Sequence, residues 1–322
     1  MQRRVLLSAL AGGAAGMMAG PAAAQYPDRP VRLIVPFPPG GPTDVFARVL
    51  AERLGARWGK PVVVENRAGA GTVVGTNAVA KAPPDGYTLG CVISAFTINP
   101  AMNPALPYNT LADLAPVSRV AAQPLVLVCH PALQVKDLAE LVALSKREAD
   151  GLAFATPGAG TLTHLAGEMI ARATGAKLVH IPYPGSAPAL TDVLQGRVPL
   201  MFDIWNSVRP SVETGKLRVL GLGSRTQVEG APPMEPIASI VPGFDITSFF
   251  GLVAPGGTPP AIVQGIAGDV RAVMGGPDMT RRLIEFGMQL IASTPEEFGA
   301  FIRTDVERWQ RVVREAGIEV VR

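Results

Sequence analysis

Short apolar runs alternate with helical patterns along most of this 322-residue chain, and that alternation limits what it can fold into. Runs at Val31 to Val35, Val62 to Glu65 and Thr88 to Ile93 are separated by helical patterns near Thr43 to Trp58 and Val73 to Lys81. Parallel strands joined by crossover helices give this rhythm. It resumes at Leu125 to Cys129, with strands expected over Leu152 to Ala155, Leu178 to Ile181, Pro199 to Phe202 and Leu217 to Gly221. Helices are expected near Asp137 to Glu148, Leu162 to Thr174 and Pro188 to Leu194. Two α/β units of similar size follow. Proline-rich joints set them apart: Asn99 to Pro107 with Pro116 before the second unit, and Gly230 to Gly243 after it. A strand over Thr247 to Ala254 and helices over Pro260 to Met274, Asp278 to Phe286 and Pro295 to Ala316 return to the first unit. The expected division is residues 25–122 for the first part of domain 1, 123–245 for domain 2, and 246–322 for the return, a hinged pair with a cleft between. The 31 prolines suit stiff connections more than disorder, because 48% of the residues are hydrophobic.

The N-terminus reads as a secretory leader: Arg3 and Arg4, an apolar run from Val5 to Met18, and small residues Ala22 to Ala24 at the expected cut. No later segment is long and apolar enough to cross a bilayer. The formal charge of +3 falls to about +1 without Arg3 and Arg4, and the remaining basic residues form no tract, so no nucleic-acid partner is expected. Cys91 and Cys129 are the only cysteines. Export permits a bridge between them, and burial as two thiols is the other reading. The three histidines have no zinc-binding spacing, so no metal and no cofactor are expected.

The loops carry the chemistry. In Val35-Pro-Phe-Pro-Pro-Gly-Gly-Pro-Thr-Asp44, Gly41 as N-cap puts Pro42 at N1, where its missing N–H costs nothing, and Asp44 at N3, near the positive helix end. Glycines leave the backbone N–H groups uncovered, which makes an anion site; a well-capped turn is the plainer reading. The second unit repeats the device in Thr156-Pro-Gly-Ala-Gly160-Thr161, which opens a helix carrying His164 and Glu168, an ordinary i,i+4 pair in the plainer reading. Two helix N-termini would then face one cleft at the carboxyl ends of the strands. Tyr183-Pro-Gly-Ser186 is a third small-residue turn, with Ser186 as N-cap. Asp203 follows a strand where cleft residues sit, and Arg67 could grip a carboxylate. Gly69-Ala-Gly71-Thr-Val-Val-Gly75 nearly imitates a dinucleotide fingerprint, but its last glycine is one place late and no acidic residue follows at the right distance. The P-loop lysine signature and the nucleophile elbow are absent.

Seven ordered stretches resemble the substrate-binding receptors of tripartite tricarboxylate transporters, the Bug (TctC-like) receptors. They are "YPDRPVRLIVPFPPGGPTD", "VVVENRAGAGTVVGTNAVAKAPPDGYTLG", "LPYNTLADLAPVS", "GAGTLTHLAGE", "HIPYPGSAPALTDVLQGRVPLMFD", "GLVAPGGTPP" and "STPEEFGAFIR". The resemblance implies a periplasmic-binding-protein (Venus-flytrap) fold, a periplasmic location, and a small carboxylated solute delivered to membrane subunits by a monomeric receptor. It implies ligand contact at Pro39, Gly40, Gly41, Thr43 and Asp44 on one loop, and at Thr156, Gly160, Thr161 and His164 on the other. Ser94, Phe96, Thr97 and Asp203 match further cleft positions. Three departures stand out: Ala68 where the family commonly has Pro, Pro184 where it has Lys, and Phe96 where it has a polar residue. The last two favour a mono- or dicarboxylate with an apolar or aromatic part over a tricarboxylate. The competing reading is an exported α/β enzyme with His164 as base and Asp203 as its partner; a structural or adhesive role conflicts with the hinge and the two anion loops.

Overall fold

The computed structural model describes residues 26–229, 231–285 and 287–316; the expected leader and its cut near Ala24 lie outside them. Ten strands form one connected sheet. Its first half contains β1 (Val31–Val35), β2 (Val62–Asn66) and β3 (Thr88–Ile93), which run parallel in the order β2-β1-β3. Val31, Leu33, Ile34 and Val35 are all buried, as expected for a parallel strand covered by helices on both faces. The covering helix α1 (Pro42–Trp58) starts from Gly41 as N-cap with Pro42 at N1 and stops at left-handed Gly59.

After α2 (Val73–Ala80) and β3 comes α3 (Ala95–Met102), in a stretch expected to be a loop and a joint. Pro100 sits inside this helix. The next element is β4 (Leu114–Cys129), a strand of 16 residues. It absorbs Pro116, expected as part of a joint, and spans the expected boundary between residues 122 and 123. Pro116 fits because its pairing with β9 (Thr247–Pro255) shifts register between Pro116 and Ser118, and a bulge needs no ladder N–H from proline. Pro124 falls where β4 leaves β9 and begins to pair with β7 (Leu200–Ile204) at Leu125.

The second half contains α4 (Leu138–Arg147), β5 (Leu152–Thr156), α5 (Leu162–Thr174), β6 (Leu178–Pro182), α6 (Ser186–Leu194) and β7. The sequence patterns located these to within a few residues, except that Ser186 is the first residue of α6 and Gly185 its N-cap. Helix α7 (Trp205–Glu213) was not expected; Pro210 within it hid its periodicity. Strand β8 (Arg218–Leu222) pairs with β4 on the side opposite β7. Helix α8 (Pro260–Met274) packs on β4 and α1, followed by α9 (Pro277–Glu285) and β10 (Gln289–Leu290). Helix α10 (Pro295–Ala316) returns, but not to the first half alone: Phe298, Ile302 and Val306 join its core, whereas Trp309 and Val313 join the core of the second. Cys91 and Cys129 are free thiols buried in different cores, and burial pushes them up to about 12 and about 11.

Candidate functional site

A cavity of about 590 Å³ lies where the carboxyl ends of β1, β3, β5, β6 and β7 meet the helices that follow them. Its wall includes the N-terminal residues of α1 (Gly41 to Thr43), α3 (Ser94, Ala95), α5 (Thr161 to Thr163), α6 (Gly185 to Ala187) and α7 (Ile204, the N-cap). The first N–H groups of a helix have no partner within it, and the aligned peptide dipoles make that end positive. Five such ends face one space. Among the described residues no Lys or Arg lines it, and Asp203 is its one charged side chain. The remaining wall is largely apolar, with Phe37, Ile93, Leu125, Leu162, Leu190 and Phe250. Pro184, at the position where the family commonly carries lysine, is part of that wall.

The first loop is held from behind by Asp44. This carboxylate is 2% exposed and accepts from the Gly40 N–H, Asn66 Nδ2 and Arg48 Nε, all at 2.9 Å. Burial pushes its pKa up, but Arg48, the Gly40 N–H and the Asn66 amide outweigh that and hold it below the ordinary range. Asn66 Nδ2 also donates to the Phe37 carbonyl at 2.9 Å, so the loop is tied at two points. Left-handed Gly40, at φ +87°, permits the turn.

The second loop is held by neutral groups. Thr161 caps α5 and donates to the Gly158 carbonyl at 2.6 Å. His164 turns back so that its Nδ1 accepts from the Gly160 N–H at 3.2 Å. Its ring stacks on His180, centroids 3.8 Å apart, and His180 Nε2 meets Thr156 Oγ1 at 2.6 Å. Burial lowers both histidines, His180 to about 3, where His164 adds to the effect. Glu168 Oε1 stands 3.7 Å from His164 Nε2.

Of the residues anticipated at the site, Pro39, Gly40, Gly41, Thr43, Ser94, Thr161 and Asp203 line the cavity. Asp44, Phe96, Thr97, Thr156, Gly160 and His164 are not among its lining residues. Asp44, Gly160, His164 and Thr156 form the supports just described. Phe96 turns into the first-half core, and Thr97 Oγ1 bonds Asp305 Oδ2 at 2.7 Å. The aromatic character inferred from Phe96 is supplied instead by Phe37 and Phe250. Arg67 is committed to Glu65 at 2.6 Å. Ser207, Ser248 and Phe250 were missed; β9 is buried on both faces, so no alternation along it marks the cavity side. Ser94 Oγ, Ser207 Oγ and Asp203 Oδ2 are buried with no hydrogen-bond partner.

Residues 46–318 match the family described as the tripartite tricarboxylate transporter family receptor. Protein BugT of Bordetella pertussis is 38% identical over 309 residues, covering 95% of each chain. The solved periplasmic binding protein BugD superposes with a TM-score of 0.84 at 32% identity, covering 91% of this chain and 99% of its own. R. palustris Rpa4515, solved with adipate, gives 0.87 at 32% identity, again with 91% and 99% covered.

Proposed function

The chain belongs to the tripartite tricarboxylate transporter receptor family, and from that premise we propose that the cavity captures a small carboxylated solute for delivery to the family's membrane transporter. The observation that carries this is a cavity faced by five helix N-termini and no basic side chain. Backbone dipoles stabilise an anion without the tight ion pair that a lysine would add, which suits capture followed by release. The apolar wall fits a solute with a hydrocarbon or aromatic body, a mono- or dicarboxylate more than a tricarboxylate. The adipate complex of Rpa4515, a relative of the same fold, supports a carboxylated solute with a hydrocarbon body. BugD, a periplasmic binding protein, supports a periplasmic location for the mature chain.

Two lobes hinged at β4 and β9 carry the binding. A ligand touching both loops favours closure only to the extent that it contacts the closed state more than the open one. Against the enzyme reading, His164 Nδ1 accepts from the Gly160 N–H and His164 is not among the residues that line the cavity. Among the described residues Asp203 is then the only titratable side chain in the cavity wall.

Mass spectrometry of the solute released by denaturing freshly purified protein, followed by calorimetry with that solute, tests the proposal. A carboxylate that binds and is recovered unchanged is expected. Steady turnover of the solute by the purified protein would overturn it.

A further inference from the structure

The helix N-termini at the cavity differ in what stands beside them. No carboxylate of the wall is recorded beside those of α1, α3 and α5. Those of α6 and α7 meet Asp203, which is 1% exposed. Its Oδ1 accepts from the Ile204 N–H at the start of α7, at 2.7 Å, and Ser186 at the start of α6 stands beside it. The positive ends of α6 and α7 are thereby offset by a charge the protein already supplies. Among the described residues neither Oδ2 nor the Ser207 hydroxyl in the same wall makes a hydrogen bond of normal distance and angle, although Ser207 stands close enough to favour the charged carboxylate.

Resting on the reading of the cavity as a carboxylate site, we propose that Asp203 selects a solute with a carboxylate at one end and a hydrogen-bond donor at the other. The donor is a hydroxyl, amide or ammonium group, and a dianion with a carboxylate at both ends is disfavoured.

An ionised carboxylate only accepts, so Oδ2 is satisfied by a donor and by nothing else a ligand can bring. A second ligand carboxylate would meet a like charge in a buried space with no cation in its wall, and two such groups hold together only by sharing a proton. The arginines on or next to α6 and α7 are committed elsewhere. On α6, Asp192 is tied to Arg197 and to Tyr183, each at 2.8 Å. On α7, Arg209 is tied to Glu213 at 2.6 Å, and β4 presents Leu125. Burial pushes the Asp203 carboxyl up to about 6 against the opposing pull of Ser186, the Ile204 N–H and Ser207. At neutral pH it is therefore mostly charged, and acidification converts it into a donor that a dicarboxylate can use.

Calorimetry on the mature protein, freed of bound solute, tests this with matched probes: adipate, its half-amide and 6-aminohexanoate, and the corresponding succinate series. At about pH 8 the half-amide or the amino acid should bind about tenfold or more tighter than the dianion of the same chain, because a site built to receive a donor rejects the analogue that lacks it. The dianion should gain when the pH falls to about 5. Asp203→Asn should abolish both the preference and its pH dependence. Dianions binding as tightly as their half-amides, with the order unchanged in Asp203→Asn, would overturn the inference and leave the carboxylate reading standing. If no carboxylate of either series binds, the carboxylate reading fails and this inference with it.

Discussion

The loops that open α1 and α5 present the same surface to the cavity, a cluster of small residues and a helix N-terminus, yet they are built from opposite materials. Behind the first stands a charge, the Asp44 carboxylate, with Arg48, Asn66 and the Gly40 N–H converging on it. Behind the second stand two neutral imidazoles and a threonine, His164 on His180 on Thr156. A backbone anion site thus asks only that its N–H groups be aimed, and does not dictate what aims them. The two supports differ in strength and in their response to acid, and that difference can be tested.

The largest effect should come from removing the charged support. Asp44→Ala leaves the Gly40 N–H without its acceptor and the Asn66 amide with only the Phe37 carbonyl, and should cost about 1.5–3 kcal/mol, the range for hydrogen bonds to a charged group. His164→Ala, which removes one neutral acceptor, should cost about 1 kcal/mol. Urea unfolding of the two variants decides it. Equal losses would erase the contrast between the loops.

Next comes the contrast between Gly160 and Gly41. Gly160 sits at φ +72°, so Gly160→Val forces a β-branched residue into the left-handed region and should lower stability by about 1–2 kcal/mol. Gly41 has φ −78°, and a Cβ there meets no atom within 4 Å. Gly41→Val should therefore change stability by no more than about 0.5 kcal/mol. It should still weaken solute binding by about 1–3 kcal/mol by covering the helix end. Thermal unfolding and calorimetry on both variants would expose a reversed order.

The smallest effect concerns acid. The folded protein keeps His180 neutral down to about 3, while the unfolded chain takes up a proton near about 6.5. In that window the unfolded state binds more protons, so stability falls as the pH drops. Asp203, raised to about 6, acts in the opposite sense between about 4 and that value, because there the folded state binds the extra proton. Comparing wild type with His180→Gln cancels the Asp203 contribution, which both share. The variant should lose less stability between about pH 7 and pH 5, read as a smaller shift in urea midpoint. Identical shifts would show that the imidazole stack is indifferent to acid.

Strands and long helices were legible because their patterns are local: the burial of β1, the caps of α1 and the proline-started α8 can all be read within a few residues. What failed depended on partners elsewhere. Pro116 reads as a joint until a bulge against β9 absorbs it, Pro100 reads as part of the same joint although α3 runs through it, and α7, with Pro210 inside it, was not anticipated. At the site, the loop backbones were legible and the side-chain directions were not. His164 and Phe96 each lie one residue from a lining position, Thr163 and Ala95, and their rings turn away from the cavity, one back to Gly160 and the other into the core. Asp203 was identified from its place after a strand; that its outer oxygen lacks a partner emerges only once α6 and α7 are in position.

Strand β4 has a consequence for the order of events in folding. It precedes every strand it pairs with: β7 and β8 begin at Leu200 and Arg218, β9 at Thr247 and β10 at Gln289. Leu114 must find Pro255 across more than a third of the chain. The first half cannot complete its sheet until Thr247–Pro255 has been made, and helix α10, which joins both cores, follows every other described element. Non-local pairing of this kind slows folding, because a long loop must close before any contact rewards it. The sheet that makes the receptor is therefore slow to complete.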